Sequence, residues 1–161
     1  MSHIHTHNET VLPEWIDYNG HMNVAYYVLA FDHATDAVFE KIGIDASYRD
    51  GEEKSVFVVE SHVTYEDEVC EGEALTIFSY VIGYDSKRIQ LFHEMYAKDG
   101  TKKCASNEIM ALHVDLKTRK TAELSEKFKD LLEGLKMRSH EGEAPNGLGR
   151  QIKSLEHKAK K

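Results

Sequence analysis

Cysteine is scarce in this chain of 161 residues, and its scarcity excludes several classes of protein. Two cysteines are present, Cys70 and Cys104, and they stand far apart without metal-ligand spacing. A disulfide framework needs more of them, and a zinc site of the cysteine type needs them in closely spaced pairs. We therefore expect two free thiols and a reducing, cytoplasmic environment.

Clustered basic residues and long apolar runs are also lacking. The chain has 20 Lys and Arg against 28 Asp and Glu, for a net charge of −8. Phosphate backbones are bound by clustered Lys and Arg, so no nucleic acid partner is expected. No apolar run approaches the roughly 18 residues of a membrane span, and the polar first ten residues lack the apolar core of a signal peptide. His3, His5 and His7 alternate there and could collect stray metal, but we expect a flexible terminus and no metal site.

What is present is a hydrophobic pattern typical of one long helix followed by strands. Asn23 is a good N-cap and Gly43 a good C-terminal stop. The apolar stripe between them comprises Val24, Tyr27, Val28, Phe31, Ala34, Val38, Phe39 and Ile42. The charged residues 45–54 indicate a loop. β-Branched and aromatic residues then predict four strands, at 55–65, 74–84, 88–97 and 103–115.

The short connections between these strands favour antiparallel neighbours. Residues 121–137 return to helical spacing, with Ser125 as a plausible N-cap, and this helix is expected to pack on an edge or end of the sheet. The sequence thus predicts an α+β fold in which one antiparallel sheet covers a long helix. We expect a single domain over residues 1–138 and a polar, mobile tail over 139–161.

The segment before the long helix is the most informative part of the chain. Residues 13–23 read Pro-Glu-Trp-Ile-Asp-Tyr-Asn-Gly-His-Met-Asn. The last seven of them place an acid, an imidazole and two amides just before a helix N-terminus. Unpaired N–H groups at such an end suit an anion or a carbonyl that develops negative charge. Asp17 stands beside that position, so the segment is predicted to be an active-site loop.

The order of elements resembles the hotdog fold, in which a sheet wraps a central helix. Asp17, Gly20, His21 and Asn23 reproduce the Asp-x-x-Gly-His-x-Asn segment of acyl-CoA thioesterases of the 4-hydroxybenzoyl-CoA type, and aromatic residues follow at Tyr27 and Phe31. This resemblance covers residues 11–124.

Longer strings are similar to the thioesterases associated with carnitine dehydrogenase. They are the loop itself, Ala-Thr-Asp-Ala at 34–37, Val-Glu-Ser-His at 59–62 and Leu-Phe-His-Glu at 91–94. The resemblance implies a stand-alone thioesterase that hydrolyses betainyl-CoA, works without a cofactor, and forms a homodimer or homotetramer with its site at the subunit interface.

The resemblance also implies catalytic roles. Asp17 would act as nucleophile through a mixed anhydride or as general base through one water, and the backbone N–H of Val24 would stabilise the oxyanion. Asn19 could orient water or bind the carbonyl, or serve only as a turn residue. His21 could act as a base or tie the loop to the backbone.

Five further residues are candidates for substrate binding. A quaternary ammonium is recognised by aromatic faces and nearby negative charge, which favours Trp15 first, then Tyr27 and Tyr65. Each of these rings could equally serve only to pack the core. Glu60 and His62 share one face of a predicted strand. If that face meets a partner's helix, both could contact substrate, whereas on a solvent face both are surface residues.

Two other classes of function stay open at this point. A hotdog module could bind acyl-CoA without turnover. A hotdog dehydratase or hydratase would need a histidine and a carboxylate placed for proton abstraction, and an aspartate before the helix argues against that arrangement.

Overall fold

One antiparallel sheet curls around a long helix in the computed structural model, which describes residues 2–153. The strands are β1 His5–Thr10, β2 Lys54–Tyr65, β3 Ala74–Tyr84, β4 Arg88–Ala97, β5 Lys102–Asp115 and β6 Lys120–Thr121. The helices are α1 Val24–Lys41, α2 Ala46–Glu52 and α3 Glu126–Ser139. The strand order is β1-β3-β4-β5-β2, with β6 on β5. The predicted α+β class is confirmed.

Helix α1 forms the centre of the core. Asn23 caps it by accepting a hydrogen bond from the Ala25 N–H at 3.0 Å, and Gly43 ends it with a φ of +89°. Its buried face consists of Tyr27, Ala30, Phe31, Ala34, Thr35, Val38 and Phe39. Val24 and Val28 were predicted to belong to the buried stripe, but they are 56% and 43% exposed. That prediction is wrong because the sheet of one chain covers only part of the helix.

The four predicted strands are confirmed, and their alternation places apolar residues against α1. Ile77, Leu91 and Ala111 lie in the sheet interior with no exposed surface. Cys104 is also buried there, and burial raises the pKa of its thiol to about 12. Both cysteines are free, as predicted.

Two elements contradict the sequence predictions. The N-terminus is not a flexible segment over His5–Thr10, since it forms the edge strand β1, in which His7 pairs with Ile77 of β3. Residues 46–52 are not a loop but the short helix α2, capped by Asp45, whose carboxylate accepts from the Tyr48 N–H at 2.9 Å. Neither element carries an apolar stripe that could have revealed it.

Helix α3 lies where the prediction put it, against the sheet. Ser125 is its N-cap, as predicted, so the helix starts at Glu126. Residues 120–121, which precede it, pair with β5 as β6. Strand β1 pairs with β3 only up to Ser79. Beyond that point the Val81 N–H donates to the Ser139 hydroxyl at 3.0 Å, so α3 covers the part of β3 that β1 leaves free.

The chain after α3 contacts the outer face of the sheet, the face turned away from α1. Lys103 Nζ donates to the Asn146 carbonyl at 2.8 Å, and the Gly149 N–H donates to a Glu108 carboxylate oxygen at 2.7 Å. The division of the chain at residue 138 and the mobility of the tail stay predictions, and residues 154–161 of that tail lie outside the described part.

Candidate active site

The loop that carries Asp17, residues 17–21, is a tight turn closed by backbone hydrogen bonds. The Asp17 N–H donates to the His21 carbonyl at 3.1 Å, and the Gly20 N–H donates to the Asp17 carbonyl at 3.0 Å. Gly20 has a φ of +83°, a conformation that glycine adopts without strain. Ile16 and Met22 form an isolated β-bridge beneath this turn. These hydrogen bonds therefore fix the backbone of Asp17 within the loop that leads into α1.

The Asp17 carboxylate is oriented by two donors. Its Oδ1 accepts from the Asn19 N–H at 2.8 Å, and its Oδ2 lies 3.4 Å from Asn23 Nδ2. Asn23 thus contacts Asp17 with its amide nitrogen while its oxygen caps α1. The sequence indicated the cap but missed the contact with the carboxylate. Asn19 contributes its backbone to this arrangement.

The helix N-terminus adjoins this carboxylate. Val24 is the first residue of α1, so its N–H has no intrahelical acceptor. Asn23 accepts from the following N–H, that of Ala25. A carbonyl oxygen placed over the first turn would meet the Val24 N–H and the positive end of the helix dipole.

His21 lies between the turn and a cavity. Its Nδ1 is 3.4 Å from the Met22 carbonyl, a contact that ties the ring to the backbone. This geometry fits the structural alternative more closely than a free general base.

A shallow cavity of about 250 Å³ opens beside the first turn of α1. Its lining comprises His21, Met22, Val24, Tyr27, Tyr65, Glu66, Asp67 and Glu68. The rings of Tyr27 and Tyr65 meet edge to face with centroids 5.2 Å apart, and the Tyr65 hydroxyl donates to the Val24 carbonyl at 3.4 Å. Four predicted residues, His21, Val24, Tyr27 and Tyr65, are therefore brought together here.

The acidic run Glu66-Asp67-Glu68 in this lining was missed by the sequence analysis. Asp67 pairs with Lys102 at 2.6 Å, and the hydrogen bond from that ammonium lowers the pKa of the carboxyl. Its backbone carbonyl accepts from the Tyr27 hydroxyl at 3.1 Å. Three consecutive acids at the end of a strand could have signalled a cation-binding wall, had the fold been known.

Trp15 lies outside the cavity lining. It is 4% exposed and stacks on Tyr26 with ring centroids 5.4 Å apart. Its ring packs into the core under the loop, where it supports the turn that carries Asp17. A ligand would find little of its surface, although its predicted role in binding stays untested.

Glu60 and His62 lie on the outer face of the sheet. They pair with Met110 and Glu108 of β5, and together with residues 149–152 they line a cavity of about 380 Å³. The structure thus separates these two residues from the Asp17 loop of the same chain.

Comparisons with known proteins identify the family. A model of the thioesterase-like superfamily matches residues 11–132. A curated protein of Pseudomonas aeruginosa PAO1, named betainyl-CoA thioesterase, is 37% identical over 153 residues, covering 94% of this chain and 96% of the relative. A protein of Agrobacterium fabrum named L-carnitine dehydrogenase/betainyl-CoA thioesterase is 36% identical over 149 residues, covering 92% of this chain and 30% of that longer protein.

A solved structure with bound CoA has a similar fold. A hypothetical protein of Staphylococcus aureus, solved in complex with CoA, superposes with a TM-score of 0.86 at 29% identity, covering 96% of this chain and 98% of its own. The predicted hotdog fold and the predicted thioester hydrolase class are confirmed. In residues 2–153 no helix is long and apolar enough to cross a membrane. By its sequence and its fold, the chain belongs to the thioesterase-like superfamily.

Proposed function

We propose that this chain hydrolyses betainyl-CoA to betaine and CoA, with Asp17 as the catalytic carboxylate. The observation that carries the proposal is the position of Asp17, whose carboxylate is held by Asn19 and by the α1 cap Asn23. Asp17 itself does not line the cavity, but the first turn of α1 that follows this cap does, together with aromatic and acidic walls. The name of the Pseudomonas aeruginosa relative and the CoA bound to the Staphylococcus aureus structure support the substrate class.

The chemistry uses protein groups and one water. As general base, Asp17 takes a proton from water, whose oxygen attacks the thioester carbonyl carbon while the π electrons move to the carbonyl oxygen. The Val24 N–H stabilises that oxyanion. The tetrahedral intermediate then collapses, the C–S bond breaks, and CoA leaves as a thiolate. As nucleophile, Asp17 instead forms a mixed anhydride that water hydrolyses. Label found in the Asp17 carboxylate after a single turnover in H₂¹⁸O would establish the anhydride route, because water labels that carboxylate only by attacking the Asp17 carbonyl carbon of the anhydride. Water that attacks the acyl carbon labels betaine on either route.

The acyl specificity is argued from the cavity walls. A trimethylammonium group donates no hydrogen bond, so its recognition depends on π faces and on carboxylates nearby. Tyr65, which is 46% exposed, offers an accessible ring, and Glu68 supplies negative charge on the same wall. The charge of Glu66 on that wall is partly offset by Lys103, whose Nζ lies 3.7 Å from Glu66 Oε1. A thiol-release assay with betainyl-CoA, acetyl-CoA, a medium-chain ester and a benzoyl ester tests the assignment. Turnover of the other esters but not of betainyl-CoA would support the assignment as a thioester hydrolase and would reject betainyl-CoA as its substrate.

Replacing Tyr65 with Leu is expected to raise KM for betainyl-CoA by about tenfold, because a cation–π contact contributes about 0.5–2 kcal/mol. Tyr65→Phe keeps the ring and should stay close to wild type. The matched substrate is tert-butylacetyl-CoA, which has the same shape without the charge and should lose little affinity in either variant. An equal rise in KM for both substrates would show that Tyr65 contributes to the shape of the cavity and does not recognise the positive charge.

We further infer a homodimer formed through the β2 edge. Phe57, Val58 and Val59 are exposed apolar residues on this edge strand, and Val24 and Val28 continue the apolar surface along α1. Exposed strand edges of this kind pair readily with a second copy, and a two-fold axis would align β2 with its own mate.

The change Val59→Lys is expected to convert the dimer to a monomer. It brings a lysine from each copy into the proposed interface, where juxtaposed like charges cost several kcal/mol. Light scattering after size exclusion measures the mass. Thr10→Lys, which puts a lysine on the opposite edge strand β1, is the control, and this variant should remain dimeric. A Val59→Lys protein that stays dimeric would place the interface elsewhere.

A further inference from the structure

The inward face of β1 carries titratable groups where an apolar face would be usual. Side chains alternate along a strand, so His5, His7 and Glu9 point to the same side. His7 pairs with the buried Ile77, which identifies that side as the one facing α1. Helix α1 meets this face with a further candidate ligand, His33, which lies near His7 and Glu9.

His7, Glu9 and His33 lie close together. His33 Nδ1 is 2.8 Å from Glu9 Oε1, and His7 Nε2 is 3.5 Å from Glu9 Oε2. One ligand atom from each of His7, Glu9 and His33 lies within 4.8 Å of the others. No second group of His, Cys, Asp or Glu in residues 2–153 brings three ligand atoms so near one another.

Two of these atoms are shielded from solvent without a hydrogen bond. His7 Nε2 and Glu9 Oε2 find no partner within the described part of the chain, although they face each other. An unpaired buried polar atom costs free energy, and a bound ion would remove that cost. Their separation of 3.5 Å is close to the spacing of about 3.4 Å between two ligands of a tetrahedral Zn²⁺ with bonds of about 2.0–2.1 Å.

We propose that His7, Glu9 and His33 form a binding site for a divalent transition metal of the zinc class. Two imidazole nitrogens and one carboxylate are a donor set that suits Zn²⁺ and Co²⁺. Mg²⁺ and Ca²⁺ prefer oxygen ligands alone, so this donor set disfavours their binding. His33 would coordinate through Nδ1 and exchange its hydrogen bond with Glu9 for the metal. Water would take the fourth position, since the His33 side chain is 41% exposed.

The ion would clamp the edge strand β1 to α1. Strand β1 leads directly through Val11 into the turn Pro13–Trp15 and the Asp17 loop. The proposed role is therefore structural, in that the metal fixes the chain entering the candidate active site. It is independent of the substrate proposed for that site.

The competing explanation is an ion pair that needs no metal. Inward-pointing polar residues on an edge strand also discourage pairing with other chains. The Glu9–His33 contact at 2.8 Å would satisfy that role by itself. Metal titration separates the two explanations.

The test is a titration of the untagged, EDTA-treated full chain with Zn²⁺ and with Co²⁺. We expect one equivalent of Zn²⁺ by calorimetry, tetrahedral d–d bands with Co²⁺, and a higher Tm with Zn²⁺ but not with Mg²⁺. His7→Gln, Glu9→Gln and His33→Gln should each weaken Zn²⁺ binding by about tenfold or more, since each removes one of three ligands. His3→Gln, outside the cluster, should bind as wild type does.

Two results would overturn the proposal. One is the absence of saturable Zn²⁺ binding by the wild type. The other is binding that survives in all three cluster variants, which would place the ion on other histidines. Melting curves in EDTA show whether each variant is folded, so that loss of binding is read only from folded protein.

Discussion

The change Asp17→Asn is expected to lower kcat for thioester hydrolysis by about 10³-fold, within the range of about 10²–10⁴ for loss of a general base. The asparagine keeps the shape of the side chain, and its oxygen can still accept from the Asn19 N–H. It can neither take a proton from water nor form an anhydride with comparable ease. Steady-state thiol release with betainyl-CoA measures the loss.

Three comparisons make this result specific. Glu14→Gln removes a neighbouring exposed carboxylate from the turn Pro13–Trp15 and should leave kcat unchanged. Calorimetric binding of CoA should be similar in wild type and Asp17→Asn, which separates a chemical defect from misfolding. If Asp17→Asn retained full turnover, the proposed catalytic role would be wrong. A wild type that binds acyl-CoA but releases no thiol would instead be the binding module.

The regular elements with strong apolar periodicity were predictable from the sequence. Strands β2 to β5 lie within one residue of the predicted bounds, because their buried faces select β-branched and aromatic side chains. The caps at Asn23, Gly43 and Ser125 were predictable from local chemistry. Strand β1 was not, since its alternating positions are histidine, threonine and glutamate and its pairing with β3 is a long-range contact.

The candidate site was predictable only where its residues are close in sequence. Asp17 and Val24 belong to one loop and one helix start, so their proximity follows from local structure. The acidic wall at 66–68 reaches the cavity only through packing of β2 beside α1. No periodicity in the chain could have announced that contact.

The position of Glu60 and His62 shows why counting residues fails at a bulge. Strict alternation predicts that they share a face, and the register with β5 confirms this. The register shifts between Val58 and Glu60, so β2 contains one extra residue there. This residue reverses the face of the sheet to which the following side chains point. Val58 lines a cavity beside α1, whereas Glu60 points to the opposite side of the sheet. A bulge leaves little trace in the sequence and decides whether a carboxylate can approach the helix.

Acidification from pH 7 to pH 5 is expected to destabilise the protein through His93, a fully buried histidine of β4. Its Nε2 is 3.1 Å from the Thr35 hydroxyl, and its Nδ1 is 2.9 Å from the Ser79 hydroxyl. Thr35 donates its own proton to the Phe31 carbonyl, so it accepts from His93 Nε2–H, and Nδ1 accepts from Ser79. The imidazole is neutral in this arrangement, and a second proton on Nδ1 would require the Ser79 hydroxyl to change from donor to acceptor.

Burial lowers the pKa of His93 from 6.5 to about 3, with a smaller contribution from the charge of His5. The unfolded chain binds a proton near pH 6.5 while the native chain does not, so stability falls as pH falls through this window. Between pH 7 and pH 5 this one group lowers the free energy of unfolding by about 2 kcal/mol.

The variant His93→Leu isolates this effect from every other titrating group. At pH 7 it should be less stable than wild type by about 1–3 kcal/mol, because the buried Ser79 hydroxyl loses its partner. At pH 5 the difference should shrink by about 2 kcal/mol, since only the wild type has lost the His93 contribution. Urea unfolding followed by the fluorescence of Trp15 gives both values. The pKa of His113 is also lowered by burial, but His113 is present in both proteins and cancels. Parallel pH dependences of wild type and variant would mean that His93 takes up its proton in the folded chain, and the neutral hydrogen-bond assignment would then be wrong.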